Sequence, residues 1–212
     1  MKRYIVKTPK IVKHIFNNWK WKFVTEEKVI YLTFDDGPTP KITEWVLNEL
    51  KKYEAKATFF CVGKNVTKHP NLASAIVNDG HAIGNHTYNH IKGAHKTTDK
   101  YLADVIYAEN TIQKITNIKP NLFRPPYGKF KISQSKQLRK KGYKIIMWDV
   151  LSADFDNTIT TEQCLHNVIK NTENGSVITF HDSKKAHGNL KFVLPKVLKY
   201  YSEKEYAFEK IS

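Results

Sequence analysis

Five short stretches of this chain carry residue types that do chemistry. Thr33-Phe34-Asp35-Asp36-Gly37-Pro38 sets two adjacent carboxylates at the end of an apolar run. Such a pair is costly to bury unless a cation or a hydrogen-bond network balances it. A helix N-cap before a Gly-Pro turn is the bland alternative. His86-Thr87-Tyr88-Asn89-His90 spaces two imidazoles at i and i+4. That spacing predicts one side of a helical turn, suited to holding one metal ion, with two solvated histidines as the alternative. Thr179-Phe180-His181-Asp182 adds a third imidazole, which taken alone reads as structural. Arg124-Pro125-Pro126-Tyr127-Gly128 fixes a guanidinium in a proline-stiffened loop; without the other stretches it reads equally as a surface turn. Trp148-Asp149-Val150-Leu151-Ser152-Ala153-Asp154-Phe155 supplies a carboxylate to orient His181 and aromatics to wall a small apolar pocket.

Together these groups say more than any one of them. Asp, His and His from different strand ends make a site of two nitrogens and one oxygen with coordination positions left open, which points to catalysis rather than structure. Arg124 is suited to pair with whichever of Asp35 and Asp36 does not bind metal, holding it ionised.

The elements that must position them alternate along the chain. Strand-like runs are predicted at Val29 to Phe34, Ala57 to Val62, His81 to Asn85, Leu122 to Pro125, Lys144 to Trp148, Val177 to His181 and Ala207 to Ile211. Between them lie predicted helices at Ile42 to Tyr53, Asn71 to Asn78, Asp99 to Ile115, Ser133 to Lys141, Thr161 to Asn171 and Phe192 to Tyr201. Successive strands sit 25, 25, 40, 23, 32 and 30 residues apart, the length of a βα unit. A full eight-unit barrel takes ~250 residues, so 212 residues fit a shortened parallel α/β domain of about seven strands. In such folds the functional face is formed by the C-terminal strand ends, where all five stretches fall.

Thirty-five Lys and Arg against twenty Asp and Glu leave a net charge of +15. Seven of the basic residues and no acid lie in residues 1–24. There Thr8-Pro9 reads as an N-cap with Pro at the first helical position. Ile11, Ile15, Trp19 and Phe23, flanked by Val12 and Phe16, predict a basic amphipathic helix over 9–23. This divides the chain into a helix within 1–24 and one domain over 25–212. The helix either packs on the domain, makes peripheral contact with anionic lipid, or serves as a basic arm for an acidic polymer. Nucleic acid is disfavoured, because charge alone gives nonspecific attraction and no recognition motif is present. No run reaches the ~18 to 20 apolar residues of a membrane span. Met1, Lys2 and Arg3 resemble a signal n-region, but Lys7, Lys10 and Lys13 break every stretch that would serve as its apolar core. A cytoplasmic or peripheral membrane location is the expectation. Cys61 and Cys164 fit no metal or redox spacing and read as core.

In this order the five stretches resemble the polysaccharide deacetylases of the NodB-homology group, the fourth family of carbohydrate esterases. The resemblance covers about residues 28–211 and is carried by Thr-Phe-Asp-Asp-Gly-Pro, His-Thr-x-x-His and Arg-Pro-Pro-Tyr-Gly. It implies a distorted, incomplete (β/α) barrel and a divalent metal, zinc first, with cobalt or nickel as substitutes. It further implies Asp35 as general base, Asp36, His86 and His90 as metal ligands, and Arg124 as the partner that tunes Asp35. The backbone N–H of Tyr127 would bind the oxyanion, and His181, positioned by Asp154, would be the general acid. Where that group usually has Leu-x-x-His and Asp-Trp, Ile178 and Phe155 stand here; with Trp148 and Tyr127 they are the expected walls of the substrate pocket. The implied reaction removes N-acetyl groups from N-acetylglucosamine-containing polysaccharide or oligosaccharide of the peptidoglycan or chitin type. O-acetyl xylan and cyclic amides are alternatives on the same site. A non-haem iron oxygenase would share the two-His, one-carboxylate triad. A non-catalytic carbohydrate-binding module is disfavoured, because base, acid and ligands occur together.

Overall fold

A computed structural model describes residues 4–212; Met1, Lys2 and Arg3, the charged start of the chain, lie outside the described residues. Near-continuous runs of branched and aromatic residues form strands buried on both faces, as parallel sheets require. These are β1 (Val29–Asp35), β2 (Ala57–Cys61), β3 (Ala82–Asn85), β4 (Leu122–Phe123), β5 (Lys144–Ile145), β6 (Val150–Leu151), β7 (Val177–His181) and β8 (Ala207–Phe208). Seven of them lie side by side in the order β5-β4-β3-β2-β1-β7-β6, all parallel, with β8 joining the start of β1. This is an incomplete (β/α) barrel. The helices are α1 (Lys10–Ile15), α2 (Ile42–Lys51), α3 (Gly63–Lys68), α4 (Pro70–Asn78), α5 (Thr98–Thr116), α6 (Ile132–Lys140), α7 (Thr161–Asn171) and α8 (His187–Ser202).

The period-two alternation of each strand divides the core. Phe34, Phe59, Ile178 and Phe180 face outward into one cluster with Val46, Leu50, Leu190, Val193 and Leu194 of the covering helices. Phe60, Leu122, Ile146, Val177 and Ile211 fill the inside of the curl. The register then aligns the chemistry, because Asp35 pairs with Phe60 on one side and with His181 on the other.

The amino-terminal segment departs most from expectation. Its helix is confined to Lys10–Ile15 rather than 9–23, and the Thr8 hydroxyl donates to the Trp148 carbonyl at 2.7 Å instead of capping it. On either side of α1 the backbone is recruited by the open edges of the barrel. Leu151 N–H donates to Val6 O and Thr8 N–H to Asp149 O along β6, while Lys20 exchanges hydrogen bonds with Ile145 and Met147 beyond β5. Pairing an unsatisfied sheet edge outweighs helical propensity over residues 16–23. Buried Asp149 fastens this arm, accepting from Lys7 Nζ at 2.7 Å, from Lys13 Nζ and from Ser176 Oγ at 2.6 Å. The run predicted at 144–148 is accordingly shortened, β5 ending at Ile145, and an unpredicted strand, β6, begins beyond it at Val150. Helix α3 was not anticipated, since six residues with one buried branched side chain leave little periodic signal.

Candidate active site

The site is assembled where β1, β3, β4 and β7 end. Arg124, two residues past the start of β4, is wholly buried. Its Nη1 donates to Asp35 Oδ1 and to Thr33 Oγ1, both at 2.7 Å, while Nε and Nη2 reach the carbonyls of Ile146 (3.1 Å) and Met147 (2.9 Å). The guanidinium lies 4.2 Å from the Phe60 ring centroid. Burial pulls its pKa below the ordinary value and the Asp35 carboxylate opposes this. A buried charge tolerates such a place only when its donors are satisfied, as here. Asp35 and Arg124 are thus the pair, and Asp36 is left for the neighbouring cluster.

Asp36 adopts a left-handed backbone (φ 81°), a conformation non-glycine residues avoid. It turns the carboxylate toward the histidines: Oδ1 lies 3.1 Å from His90 Nε2 and 3.9 Å from His86 Nε2. One ligand atom from each of Asp36, His86 and His90 falls within 4.8 Å of the others. Burial pushes the Asp36 pKa up, but the His90 hydrogen bond and the charges of His181, His86 and His90 outweigh it, and the net shift is well downward. His86 Nδ1 donates to the Arg124 carbonyl at 2.7 Å, which leaves Nε2 with a free lone pair. Burial, the leading cause, lowers the His86 pKa to about 4, so the ring is neutral at pH 7, as a metal ligand must be. The donor set therefore fits a divalent cation of the zinc type. The two imidazoles do not share a helical turn, contrary to the i, i+4 expectation. Residues 86–90 form a loop in which Thr87 (φ 64°) and His90 (φ 54°) are left-handed.

On the other side of Asp35, His181 Nδ1 donates to Asp154 Oδ1 at 2.7 Å, and the His181 backbone N–H donates to Asp154 Oδ2 at 2.7 Å. Burial disfavours the imidazolium, yet Asp154 first, then Asp36 and Asp35, raise the His181 pKa to about 9. Asp154 and not Asp149 is the carboxylate that meets His181. Phe155 stands edge-on to His181 at 5.0 Å, and Tyr127, exposed and left-handed (φ 60°), lies 4.8 Å from the His90 ring. Half-buried Trp148 sits beneath this turn, where a Cβ on Gly128 would approach its ring to 2.5 Å.

Ile178 is a correction. It is wholly buried in the outer cluster and faces the helices, so it walls no pocket. Strand alternation puts Thr179, one position on, on the His181 side, where its hydroxyl lies 3.4 Å from that of Thr33. Two further residues escaped sequence reasoning. Asp182 accepts from Gly37 N–H at 3.0 Å and Thr43 Oγ1 at 2.5 Å, locking the loop after Asp36. A Cβ at Gly37 would lie 2.0 Å from that carboxylate, which makes glycine obligatory there. Burial, with Asp36 adding to it, raises the Asp182 pKa to about 7. Its position directly after His181 was the available signal. Tyr4, from the arm, stands edge-on to Phe155 at 5.4 Å and donates to Asp156 at 2.7 Å; nothing in its local sequence marks it.

An ion-paired carboxylate and a carboxylate-paired imidazole flanking a cation-ready cluster, all on the C-terminal face of an incomplete barrel, define a hydrolase. The family model for polysaccharide deacetylase matches residues 22–146. This chain belongs to that polysaccharide deacetylase family, the NodB-homology group that forms carbohydrate esterase family four, and its domain is a hydrolase domain of the deacetylase type. It is 32% identical over 194 residues to a peptidoglycan-N-acetylglucosamine deacetylase of Bacillus cereus, covering 91% of this chain and 90% of that one. A second protein of that name from Bacillus cereus is 37% identical over 158 residues, covering 74% of this chain but 57% of the relative. Among solved structures, the Bc1960 peptidoglycan N-acetylglucosamine deacetylase in complex with 4-naphthalen-1-yl-N-oxidanyl-benzamide superposes with a TM-score of 0.89 at 30% identity, covering 96% of this chain and 95% of that one. No helix among the described residues is long and apolar enough to cross a membrane.

Proposed function

We propose that this chain removes the N-acetyl group from N-acetylglucosamine units of a peptidoglycan-type polymer, with a divalent metal, zinc first, held by Asp36, His86 and His90. The observation that carries the reading is the placing of that cluster between the Arg124-paired Asp35 and the Asp154-paired His181. The names of the relatives support the substrate class. The N-oxidanyl-benzamide in complex with the Bc1960 enzyme is a hydroxamic acid, a group whose two oxygens chelate divalent cations, which suits a metal site.

A cation bound at the cluster supplies positive charge that polarises the acetamide carbonyl and eases deprotonation of water. Asp35, held in place by Arg124, takes the proton of the attacking water. The Tyr127 backbone N–H donates to the oxyanion of the tetrahedral intermediate. His181, with Nδ1–H committed to Asp154, presents its Nε2 proton to the leaving nitrogen, which departs as the amine while acetate remains. Phe155, Trp148 and Tyr127, grouped around His181, Gly128 and His90, are the aromatic walls this reading assigns to the substrate.

Acetate release from N-acetylglucosamine oligomers, before and after metal stripping and zinc restoration, tests this. Release that stops on stripping and returns with zinc is the expected outcome. Zinc bound at one per chain with no release overturns the substrate and redirects it to O-acetyl xylan or cyclic amides. For the amino-terminal arm we infer that it serves chiefly to seal the barrel edge, its Lys7 and Lys13 being engaged by Asp149. The outward Ile11 and Ile15, beside exposed Lys10 and Lys20, support peripheral contact with anionic lipid, to be read by co-sedimentation with anionic against neutral vesicles.

A further inference from the structure

His86 and His90 serve one cation only if the loop between them is held in a shape its residues do not prefer. Two of its members, Thr87 and His90, are left-handed, so local propensity works against the arrangement. The loop is gripped on two sides. Its carbonyls face α3, where Thr87 O accepts from Gly63 N–H at 2.9 Å and Tyr88 O from Lys64 N–H at 3.0 Å. Its N–H groups are taken by side chains. Asn85 Oδ1 accepts from Thr87 N–H at 2.9 Å, and Thr87 Oγ1 accepts from Ile91 N–H at 3.2 Å. The two central donors go to one carboxylate on α5: Asp104 Oδ1 accepts from Tyr88 N–H at 2.7 Å and Asn89 N–H at 3.0 Å, and its Oδ2 accepts from Asn89 Nδ2 at 2.7 Å.

We propose that Asp104 is a positioning residue for the metal site, fixing the Tyr88–Asn89 backbone so that His90 is delivered to Asp36 and His86. Asp104 lies sixteen positions from Tyr88 in sequence and acts on the loop through these three hydrogen bonds. A carboxylate suits the place because all three partners are donors, and charge-assisted bonds to backbone N–H groups are the strong kind. The inference rests on the metal reading above, and its test is one of metal affinity rather than turnover.

The full chain is stripped of metal, and zinc affinity is measured by competition with a chromophoric chelator, with circular dichroism reporting the fold. Asp104→Ala removes all three bonds and is expected to weaken zinc by ~10- to 100-fold, the range for loss of an outer-shell partner. Asp104→Asn keeps an acceptor for the backbone without the charge, and the exposed Asn89 amide can turn so that its Oδ1 accepts from the new N–H, so a smaller loss is expected. Asn89→Ala removes the side-chain bond alone and leaves both backbone bonds to Asp104, so it is expected to cost less zinc affinity than Asp104→Ala. A folded Asp104→Ala that binds zinc like the unmodified chain overturns the proposal. Should Asp104→Ala fail to fold, Asp104→Asn binding zinc like the unmodified chain overturns it equally. An unmodified chain that takes up no zinc refutes the metal reading itself, and this inference with it.

Discussion

Replacing Asp154 by Asn tests the acid side of the site at its most sensitive point. The carboxylate sits 2.7 Å from His181 Nδ1 and is the leading cause that raises that imidazole from 6.5 to about 9. An opposite charge at hydrogen-bond distance is worth ~1 to 3 pKa units. The amide also turns an N–H toward Nδ1, which disfavours the imidazolium further. His181 donates only while protonated, so the rate falls as pH rises through its pKa, and lowering that pKa brings the fall earlier. The alkaline limb of kcat/KM is therefore expected to move down by ~1 to 3 pH units in Asp154→Asn. The assay is acetate release from N-acetylglucosamine oligomers at saturating zinc, pH 5 to 10, for both proteins. A bound cation lowers both limbs alike, so the difference between them is the quantity to read. A lower rate with the limb unmoved refutes the pairing of Asp154 with the titrating acid. The same pair carries a stability signature. A pKa raised on folding contributes stability that is full below about 6.5 and lost as pH rises through about 9, so the melting temperatures of wild type and Asp154→Asn are expected to converge above that pH.

Asp35→Asn is expected to keep zinc at one per chain while kcat drops by ~10²- to 10⁴-fold, and His86→Ala to lose both zinc and turnover; elemental analysis beside the rate separates the two, and an active Asp35→Asn removes Asp35 as base. Asp149→Ala is expected to cost about 1–3 kcal/mol in denaturant unfolding, because it leaves the buried Ser176 O–H without its acceptor and frees Lys7 and Lys13, whose partial exposure moderates the loss. Its alkaline limb should stay where it is in the unmodified chain, and an unchanged unfolding midpoint contradicts the role of Asp149 in fastening the arm.

Much of the architecture was legible in local pattern. The runs at Val29 to Phe34, Ala57 to Val62 and Val177 to His181 are apolar and branched enough to read as strands, and their βα spacing implies a parallel sheet with its chemistry at the C-terminal ends. From that alone Asp35, Asp36, His86, His90, Arg124, His181 and a carboxylate of the stretch 148–155 follow as one neighbourhood, because residue type and strand-end position are properties of sequence; it was the family resemblance that named Asp154. Which of them touch is another matter. Arg124 selects Asp35 over Asp36, and His181 selects Asp154 over Asp149, through contacts across the curl of the sheet, to which local pattern is blind. The His-x-x-x-His spacing suggested a helical turn; α3 and Asp104 hold it instead as a left-handed loop. Ile178 and Thr179 differ by one register step, and one step decides whether a side chain meets the helices or the site. The arm shows the same limit on a larger scale. Its apolar spacing is helical through residue 23, but the unpaired edges beyond β5 and beside β6 offer hydrogen bonds that a helix over residues 16–23 would have to forgo, and only the folded barrel presents those edges.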